Sequence, residues 1–459
     1  MAERFEIMQK TLLQMLEEKK YSTLRDILVT MNPSDIAALF GELEERQIPL
    51  MFRLLPKEQA AETFVEMEPD AQELLIKSFS DNELKEIVDE LYVDDAADLV
   101  EEMPANVVQR ILKQADPEMR TRINQILRYP DNSAGSIMTT EYVSLRPSMT
   151  VEEAILRIRR QGVDKETIYT CYVTEGRKLI GLVTVKDLLL AQDDETPIQE
   201  MMETNLISVN THTDQEEVAR MFSKYNFLAL PVVDKENRML GIVTFDDAMD
   251  VMVDEATEDM EIMSGMLPSE KTYLKSGVFE LFKNRIPWLM LLMVSATFTG
   301  LIITAFEDAL AAQVALTAFI PMLMGTGGNS GSQSSVTVIR SLSLGELKFR
   351  DIGIVLWKEI RTALLCGIAL AVVCFVKIWL VDGLLMGNEN ITVQINLVVC
   401  LALAVTVIIA KVVGGLLPLG AKALKLDPAV MASPFITTIV DALSLLVYFV
   451  FAKAIIPTL

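Results

Sequence analysis

The chain has 459 residues, of which 51% are hydrophobic, and a formal net charge of −23. These properties conflict for a single soluble domain, but they separate along the chain: residues 1–264 carry 27 basic and 53 acidic residues, whereas residues 265–459 carry 14 and 11. The acidic first part argues against a nucleic-acid partner, because binding to phosphates requires clustered lysine and arginine. One histidine and four scattered cysteines argue against His-ligated zinc, His-based catalysis and a disulfide framework.

Residues 1–130 contain a repeat of short helical units. Apolar runs at helical spacing begin at a series of similar positions: Pro33, Pro56, Pro69, Ser80, Val93, Pro104 and Pro117. From Pro56 onward the intervals alternate between 13 and 11 residues. Because proline is tolerated in the first turn of a helix, this pattern predicts a helical superhelix, a small solenoid of paired helices.

Residues 131–252 contain two copies of one pattern, at about 136–192 and about 198–252. Each copy ends in a related motif, KLIGLVTVKDLL in the first and RMLGIVTFDDAM in the second. Strand-like apolar runs alternate with amphipathic helices, which predicts an α/β fold. The shared G-[LI]-V-T-x-x-D signature resembles a tandem pair of CBS modules.

The resemblance to CBS pairs implies a site for an adenine nucleotide such as ATP. By that resemblance Thr184 and Asp187 hold the ribose, and Phe227 lies against the base. A nucleotide-free dimerisation module is the alternative that the sequence leaves open.

Five later segments are apolar enough to form membrane-spanning helices, each of which needs about 20 residues. They lie near residues 287–306, 311–339, 362–381, 391–417 and 428–457. Lysine and arginine alternate with acidic residues in the connecting loops, so the positive-inside rule predicts a cytosolic N-terminal half and an extracellular C-terminus in the cell membrane.

Asp441 is the one carboxylate deep within a predicted span. Because an ionised group in hydrocarbon is costly, we interpret it as a pore ligand for a hard divalent cation, most simply Mg²⁺. A salt bridge to Lys377 or Lys411 is the alternative. Thr437 and Ser433 lie four and eight residues earlier on the same helical face, and their hydroxyls either line the path or bond back to the helix.

The second predicted span contains the unusual stretch GTGGNSGSQ, residues 325–333. Its glycines permit close helix approach or a break, and its polar side chains are costly against lipid. We therefore expect a broken span whose Gly328 and Asn329 form a pore wall. A tight helix-packing seam is the alternative.

Residues 246–261 contain eight carboxylates and no basic residue. We predict a connecting helix over 246–280 whose acidic stripe binds Mg²⁺ together with acidic residues elsewhere, whereas a solvated, flexible linker is the alternative. The candidate regulatory ligands are Asp94, Asp98, Asp214, Glu216, Asp247, Asp250, Glu255, Glu258, Asp259 and Asp427, with Asp95 and Glu217 beside them.

The order of these segments resembles the MgtE family of Mg²⁺ channels. The GTGGNSGSQ motif and the stretch from Pro428 to Asp441 carry the resemblance. It implies a homodimer with one pore on the two-fold axis, lined by the second and fifth spans, with Asp441 as the pore carboxylate. It also implies a connecting helix that plugs the pore when cytosolic Mg²⁺ is high. In one departure, a pore asparagine common in relatives falls on Ser433.

The complete prediction is a multidomain chain. It comprises an all-α superhelix over 1–130, an α/β tandem CBS pair over 131–252, a long acidic connecting helix over 246–280 and an all-α transmembrane domain of five helices over 281–459. We predict a Mg²⁺ uptake channel gated by cytosolic Mg²⁺ and tuned by nucleotide, not an enzyme, since no P-loop or other catalytic motif is present.

Two transport alternatives fit less well. A channel for Co²⁺, Ni²⁺ or Zn²⁺ would favour histidine or cysteine ligands, and an anion channel would favour basic residues in the spans. A membrane-tethered nucleotide sensor without transport remains the alternative from another class.

Overall fold

The fold is described from a computed structural model that covers residues 2–269, 273, 276–385 and 392–456, without the side chains of residues 2–7, 9 and 433. The end of the fifth predicted span at residue 457 and part of the predicted connecting helix, residues 270–272, 274 and 275, lie outside this description. The chain divides into two compact units, Met1–Met252 and Val253–Leu459.

The first unit begins with short helices, as the repeat predicts. They are α1 Ala2–Glu17, α2 Tyr21–Leu28, α3 Pro33–Gly41, α4 Ile48–Phe52, α5 Lys57–Val65, α6 Pro69–Ser78, α7 Asp81–Val88, α8 Val93–Glu102, α9 Ala105–Gln114 and α10 Pro117–Ile126. Local capping fixes several starts: the Ser80 side chain accepts from the Glu83 amide, and the Asp116 side chain accepts from the Glu118 amide.

Alternate helices pack on one another, so that α3 contacts α5, α5 contacts α7 and α7 contacts α9. Four phenylalanines, Phe40, Phe52, Phe64 and Phe79, form a buried aromatic cluster with ring centroids 5.4 to 6.5 Å apart. The repeats therefore bury their apolar faces against one another in one continuous core, as in a solenoid.

Two similar α/β modules follow. The first contains β1 Tyr142–Leu145, α11 Val151–Gln161, β2 Thr167–Glu175, β3 Lys178–Thr184 and α12 Val185–Leu189. The second contains α13 Ile198–Met201, β4 Val209–Asn210, α14 Gln215–Tyr225, β5 Ala229–Val233 and β6 Met239–Thr244. In both sheets the first strand pairs parallel with the second, and the second pairs antiparallel with the third.

The segment that precedes each module pairs with the sheet of the other. Thr139 forms a bridge with Ile242 in β6, and Glu203 forms a bridge with Leu182 in β3. Neither module is complete alone, so the sequence repeat folds as one interlocked pair.

A helix with an acidic face leaves the second module. It is α15, Phe245–Met263, and it is shorter than the predicted span of 246–280. The helix ends because Gly265 adopts a left-handed conformation with φ of 73°, and Pro268 follows three residues later. The prediction of a helix to residue 280 is therefore wrong.

The second unit is helical. Its helices are α16 Val278–Ala305, α17 Glu307–Ala312, α18 Ile320–Ser343, α19 Ile352–Lys377, α20 Val393–Ala423 and α21 Ser433–Ile455. Among the described residues, four segments are long and apolar enough to cross a membrane: Val278–Ala305, Phe349–Leu385, Val393–Ala423 and Pro428–Ile455. The structure therefore does not confirm the count of five. The helix α18, which covers most of the second predicted span, is not among the four.

The glycine-rich stretch does not break its helix. Residues 325–333 lie inside the continuous α18, and the irregular part comes earlier, where Val314–Phe319 forms a 3-10 helix. The glycines pack the helix: a Cβ at Gly331 would lie 2.7 Å from Cγ2 of Ile436, and one at Gly328 would lie 3.0 Å from Cγ2 of Thr437. Close helix approach thus replaces the expected break.

Candidate ion path and acidic clusters

Asp441 lies in the third turn of α21 and is only partly buried. Its carboxylate has no ion pair or hydrogen bond to any other residue that the structure describes. One helical turn earlier, the Thr437 hydroxyl donates to the Pro434 carbonyl at 3.0 Å, as expected for a back-bonding threonine. The remaining lone pair of that hydroxyl is available to a ligand. Ser433 begins α21, and its side chain lies outside the description.

Both lysines that could have neutralised Asp441 have other partners. Lys377 forms an ion pair with Asp382 at 2.7 Å, and Lys411 donates to Ser334 at 3.4 Å. The structure thus provides no support for the salt-bridge alternative.

The helix α18 has two contrasting faces. Gly327, Gly328 and Gly331 are buried against α20 and α21, which matches the packing-seam alternative. Asn329 and Gln333 are exposed on another side of the same helix. A polar stripe on a helix among apolar helices is costly against lipid, so it requires water, an ion or a partner. The stretch therefore combines a packing seam with an open polar face.

The first unit contains a cluster of carboxylates where α8 approaches the CBS-like modules. Burial and the neighbouring charges of Asp95 and Asp247 raise the pKa of Asp98 to about 7. Burial and the charges of Asp247 and Asp246 raise the pKa of Asp95 to about 7, and burial is also the main cause that raises the pKa of Asp247 to about 6. These groups repel one another.

Two further carboxylates complete this cluster. Asp94 is 8% exposed, and burial together with the charges of Asp95 and Asp247 raises its pKa well above the ordinary range. Burial and the same two charges raise the pKa of Glu166 to about 8. One buried oxygen of each, Oδ1 of Asp94 and Oε2 of Glu166, has no hydrogen-bond partner among the residues that the structure describes. Such orphaned oxygens suit a hard cation.

The fit to a metal is nevertheless incomplete. Among the described residues, no group of three or more Asp, Glu, His or Cys side chains is arranged to hold a metal ion. Mg²⁺ keeps several of its waters and often uses only one or two carboxylates, so the donor chemistry fits while a complete protein cage does not form.

A second acidic group lies within the second unit, where α15 approaches the start of the last helix. Burial and the charges of Asp427, Asp259 and Glu261 raise the pKa of Glu258. Asp259 accepts from the Ser343 hydroxyl at 3.1 Å. The charges of Asp427 and Asp259 thus act on Glu258, and binding of Mg²⁺ by these three residues stays a prediction.

The remaining regulatory candidates lie at the start of α14 and along α15. Asp214 caps α14 by accepting from the Glu216 amide at 3.0 Å, and Glu216 pairs with Arg220. The charge of Asp250 contributes to the raised pKa of Asp247. Glu255 is partly buried on α15.

The nucleotide candidates fall in both modules. Thr184 donates to Asp187 at 2.5 Å and caps α12 in a capping box. In the second module the Thr244 hydroxyl likewise donates to Asp247. Phe227 lies in the second module and stacks on Tyr225, with ring centroids 5.3 Å apart. Within the described part of the chain, no hydrogen bond or ring contact joins Phe227 to Thr184 or Asp187.

Sequence reasoning missed several participants. Glu166 precedes β2 with no local signal and joins the acidic cluster only through the fold. Ser334 and Glu359 were not singled out, and Lys411 entered only as a rival partner for Asp441. A charged residue within an apolar helix was the signal that could have identified Lys411 and Glu359.

Comparisons with known proteins agree along the chain. Residues 31–132 match the MgtE intracellular N domain, residues 134–194 and 198–254 match CBS domains, and residues 320–451 match the family described as a divalent cation transporter, MgtE. A magnesium transporter MgtE of Thermus thermophilus is 36% identical over 452 residues, covering 97% of this chain and 98% of the relative. One of Bacillus subtilis is 33% identical and covers 97% and 96%.

Solved structures resemble the first part. The cytosolic domain of the Mg²⁺ channel MgtE in complex with ATP is 40% identical with a TM-score of 0.51, covering 53% of this chain and 99% of that one. The soluble part of a magnesium transporter is 30% identical with a TM-score of 0.51, covering 55% and 99%.

Proposed function

Because the chain belongs to the MgtE family of magnesium transporters, we propose that it conducts Mg²⁺ into the cell through a pore that two copies of the chain form together. Cytosolic Mg²⁺ closes this pore by binding at the acidic clusters. The channel lies in the cell membrane with its N-terminal half in the cytosol and its C-terminus outside.

The observation that carries this proposal is the state of Asp441. It is a partly exposed carboxylate inside an apolar helix, and the described residues give it no counter-charge. Both candidate lysines have other partners. A cation that passes the carboxylate would supply the missing charge. A hydrated Mg²⁺ suits hard oxygens, and Thr437 and Ser433 extend the same face of α21.

The open side of the second unit supports a homodimer. Asn329 and Gln333 on α18 are exposed beside the seam that joins Gly328 to Thr437 on α21. A second copy related by a two-fold axis would close this polar face into a path, with Asn329 in its wall and Gly328 in the seam directly behind it. In this arrangement α18 crosses the membrane as a fifth spanning helix, shielded from lipid.

The first unit also has surface suited to a second copy. Leu189 and Leu190 in the first CBS-like module are 68% and 69% exposed. Leu228 and Phe245 in the second module are exposed as well. Large apolar side chains on both modules support a dimer, because their burial would release water from the surface.

Regulation follows from the uncompensated carboxylates. In the first cluster, Asp94, Asp95, Asp98 and Asp247 repel one another, so a divalent cation between α8 and the second module would stabilise their close approach. Low Mg²⁺ favours separation, and high Mg²⁺ favours the compact state.

The cytosolic end of the last helix would be the second regulatory point. Glu258 and Asp259 on α15 and Asp427 before α21 form a group that Mg²⁺ would hold together. With Asp250 and Glu255 on the same helix, α15 would then obstruct the path. Asp214 and Glu216 contribute at the second module only if they leave their capping and Arg220 contacts.

Nucleotide would bind at the first module. The neighbouring cytosolic domain of 40% identity was solved in complex with ATP. In this chain Thr184 and Asp187 form an exposed hydroxyl and carboxylate pair at the start of α12, which suits ribose hydroxyls. Phe227 of the second module would approach this pair on binding and lie against the base.

Mg²⁺ uptake into liposomes tests the central proposal. Wild type, Asp441→Asn and the control Asp382→Asn are reconstituted at equal density, and internal Mg²⁺ is followed with a fluorescent indicator. We expect Asp441→Asn to reduce the initial rate by roughly ten-fold or more, because a charge-assisted contact with the ion is lost. Asp382→Asn, which removes a carboxylate already paired with Lys377, should keep the wild-type rate. Equal rates for all three proteins would refute the role of Asp441.

A further inference from the structure

Lys411 is a buried cation within the apolar helix α20. Only 5% of the residue is exposed. Its Nζ donates to the Ser334 hydroxyl on α18 at 3.4 Å, and that hydroxyl donates to Oε2 of Glu359 on α19 at 2.6 Å. One serine therefore links a lysine and a glutamate from two other helices.

The surrounding backbone makes room for this arrangement. Gly415 follows Lys411 by one turn, and a Cβ there would lie 3.3 Å from Cγ of Glu359. Gly414 faces the carbonyl oxygen of Gly331 on α18, where a Cβ would clash. Small residues thus bring α18, α19 and α20 close enough for one hydroxyl to contact both charged groups.

The cost of placing charged groups within apolar helices indicates that Lys411 and Glu359 have a specific role. Each charge alone is costly in a low-dielectric environment, and a pair tolerates burial only when the partners are satisfied. Removing one partner leaves the other charge uncompensated, whereas removing both with residues of similar volume is often nearly neutral. The network therefore predicts that each single substitution is harmful and that the double substitution is nearly neutral.

The contact at Ser334 reaches the helix that carries the polar face. Ser334 is 3% exposed, while Asn329 and Gln333 on α18 are exposed. The rotation of α18 about its axis decides which residues form each face. An interaction that keeps Ser334 buried therefore also keeps Asn329 exposed on the opposite side of α18.

We propose that Lys411 is a positioning residue for transport. Its ammonium offsets the charge of Glu359 through the shared Ser334 hydroxyl and thereby fixes the rotation of α18, so that the polar face stays on the ion path. This inference rests on the proposed function, since that face is assigned to the path there.

Mg²⁺ uptake by four proteins tests it: wild type, Lys411→Met, Glu359→Gln and the double variant. We expect each single substitution to reduce the rate by about ten-fold or more and the double variant to recover to within about three-fold of wild type. Lys411→Arg, which keeps the charge, should retain more activity than Lys411→Met. The matched control is Lys377→Met, whose lysine has its own carboxylate partner Asp382 but is more exposed; it should not change the rate.

A positional readout separates this role from general destabilisation. Asn329→Cys is introduced into each protein, and its reaction with a membrane-impermeant maleimide is timed, with labelling of the native cysteines subtracted. The single substitutions should slow this reaction at least five-fold, and the double variant should restore it. Unchanged labelling in Lys411→Met would overturn the proposal.

The outcomes also separate this inference from the proposed function. If wild type carries no Mg²⁺, both fail. If wild type carries Mg²⁺ and Lys411→Met does so equally well, this inference alone fails. If Lys411→Met yields no folded protein, Glu359→Gln is compared with the double variant, and a double variant no faster than Glu359→Gln overturns the proposal.

Discussion

Gly414 on α20 packs directly on the carbonyl oxygen of Gly331 on α18, and no Cβ fits between them. This contact sets the distance between two helices of the membrane unit. Gly420 lies on the same helix with nothing within 4 Å of the position of its missing Cβ. The two glycines differ in their surroundings and therefore provide a matched comparison.

We predict that Gly414→Ala lowers stability and transport, because the added methyl group forces α18 and α20 apart. Overpacking of this kind costs about 1–3 kcal/mol. Gly420→Ala should be neutral or stabilising by about 1 kcal/mol, since alanine favours the helix. Thermal unfolding in detergent, followed by tryptophan fluorescence, measures both variants. A Gly414→Ala protein as stable as Gly420→Ala would contradict the close packing.

The acidic cluster predicts an unusual dependence of stability on pH in residues 1–264 without Mg²⁺. Asp95 and Asp98 have pKa values of about 7, and Asp247 and Glu166 of about 6 and about 8, all above their ordinary values. The folded state therefore binds more protons than the unfolded state between about pH 4 and pH 8. Stability is highest below this window and falls as the pH rises through it.

We expect the melting temperature without Mg²⁺ to be about 10 °C lower at pH 8 than at pH 5, corresponding to about 3 kcal/mol for a domain of this size. Added Mg²⁺ should stabilise strongly at pH 8 and weakly at pH 5, where protons occupy the carboxylates. Differential scanning fluorimetry at several pH values measures this. The double variant Asp95→Asn/Asp98→Asn should flatten both trends, and a steep trend that persists in it would assign the effect to other groups.

Much of the fold could be predicted because its signals are local. The starts of α3, α6, α8 and α10 coincide with the first residue of a predicted run. In α3, α6 and α10 this residue is a proline, which acts within the first turn. The two CBS-like modules were evident from repeated motifs. The exchange of Thr139 and Glu203 between the sheets was not, because pairing across modules leaves no periodic signal.

The site was predictable where one residue type stands out against its surroundings. Asp441 is conspicuous because charge is rare in an apolar segment. The glycine-rich stretch misled the prediction, because glycine can either break a helix or let two helices approach, and only the partners Ile436 and Thr437 decide between these outcomes. Glu166 joined the acidic cluster through tertiary contacts that no local pattern encodes.

Substitution of Glu258 should weaken the closure of the pore by internal Mg²⁺. Its carboxylate lies near the charges of Asp427 and Asp259, and this repulsion contributes to its raised pKa. Glu258→Gln removes a ligand that would favour the closed state, so the internal Mg²⁺ concentration for half-closure should rise by roughly five-fold or more. Patch recordings with controlled internal Mg²⁺ measure this shift.

The control for Glu258 is Glu236→Gln, which changes an exposed carboxylate paired with Arg238 in a turn of the second module. It should leave the half-closure concentration unchanged. Identical closure curves for Glu258→Gln and wild type would remove the end of α15 from the regulatory mechanism.

Nucleotide binding can be tested against a matched capping box. Thr184 and Thr150 both cap a helix in the same way, Thr184 with Asp187 and Thr150 with Glu153. Replacing either threonine with alanine removes a cap and costs about 1 kcal/mol of stability. The variants should therefore lose similar stability, and only Thr184→Ala should also lose a contact to ribose.

We expect Thr184→Ala to weaken ATP binding by about ten-fold, the effect of one lost hydrogen bond to the ligand, and Thr150→Ala to leave it unchanged. Isothermal titration calorimetry of the full chain in detergent, with wild type as reference, measures the dissociation constants. Because both caps contribute to folding, equal weakening in the two variants would indicate an indirect effect through stability. Undiminished binding in Thr184→Ala would place the nucleotide elsewhere, and the repeated Thr244 and Asp247 motif of the second module would be the next position to test.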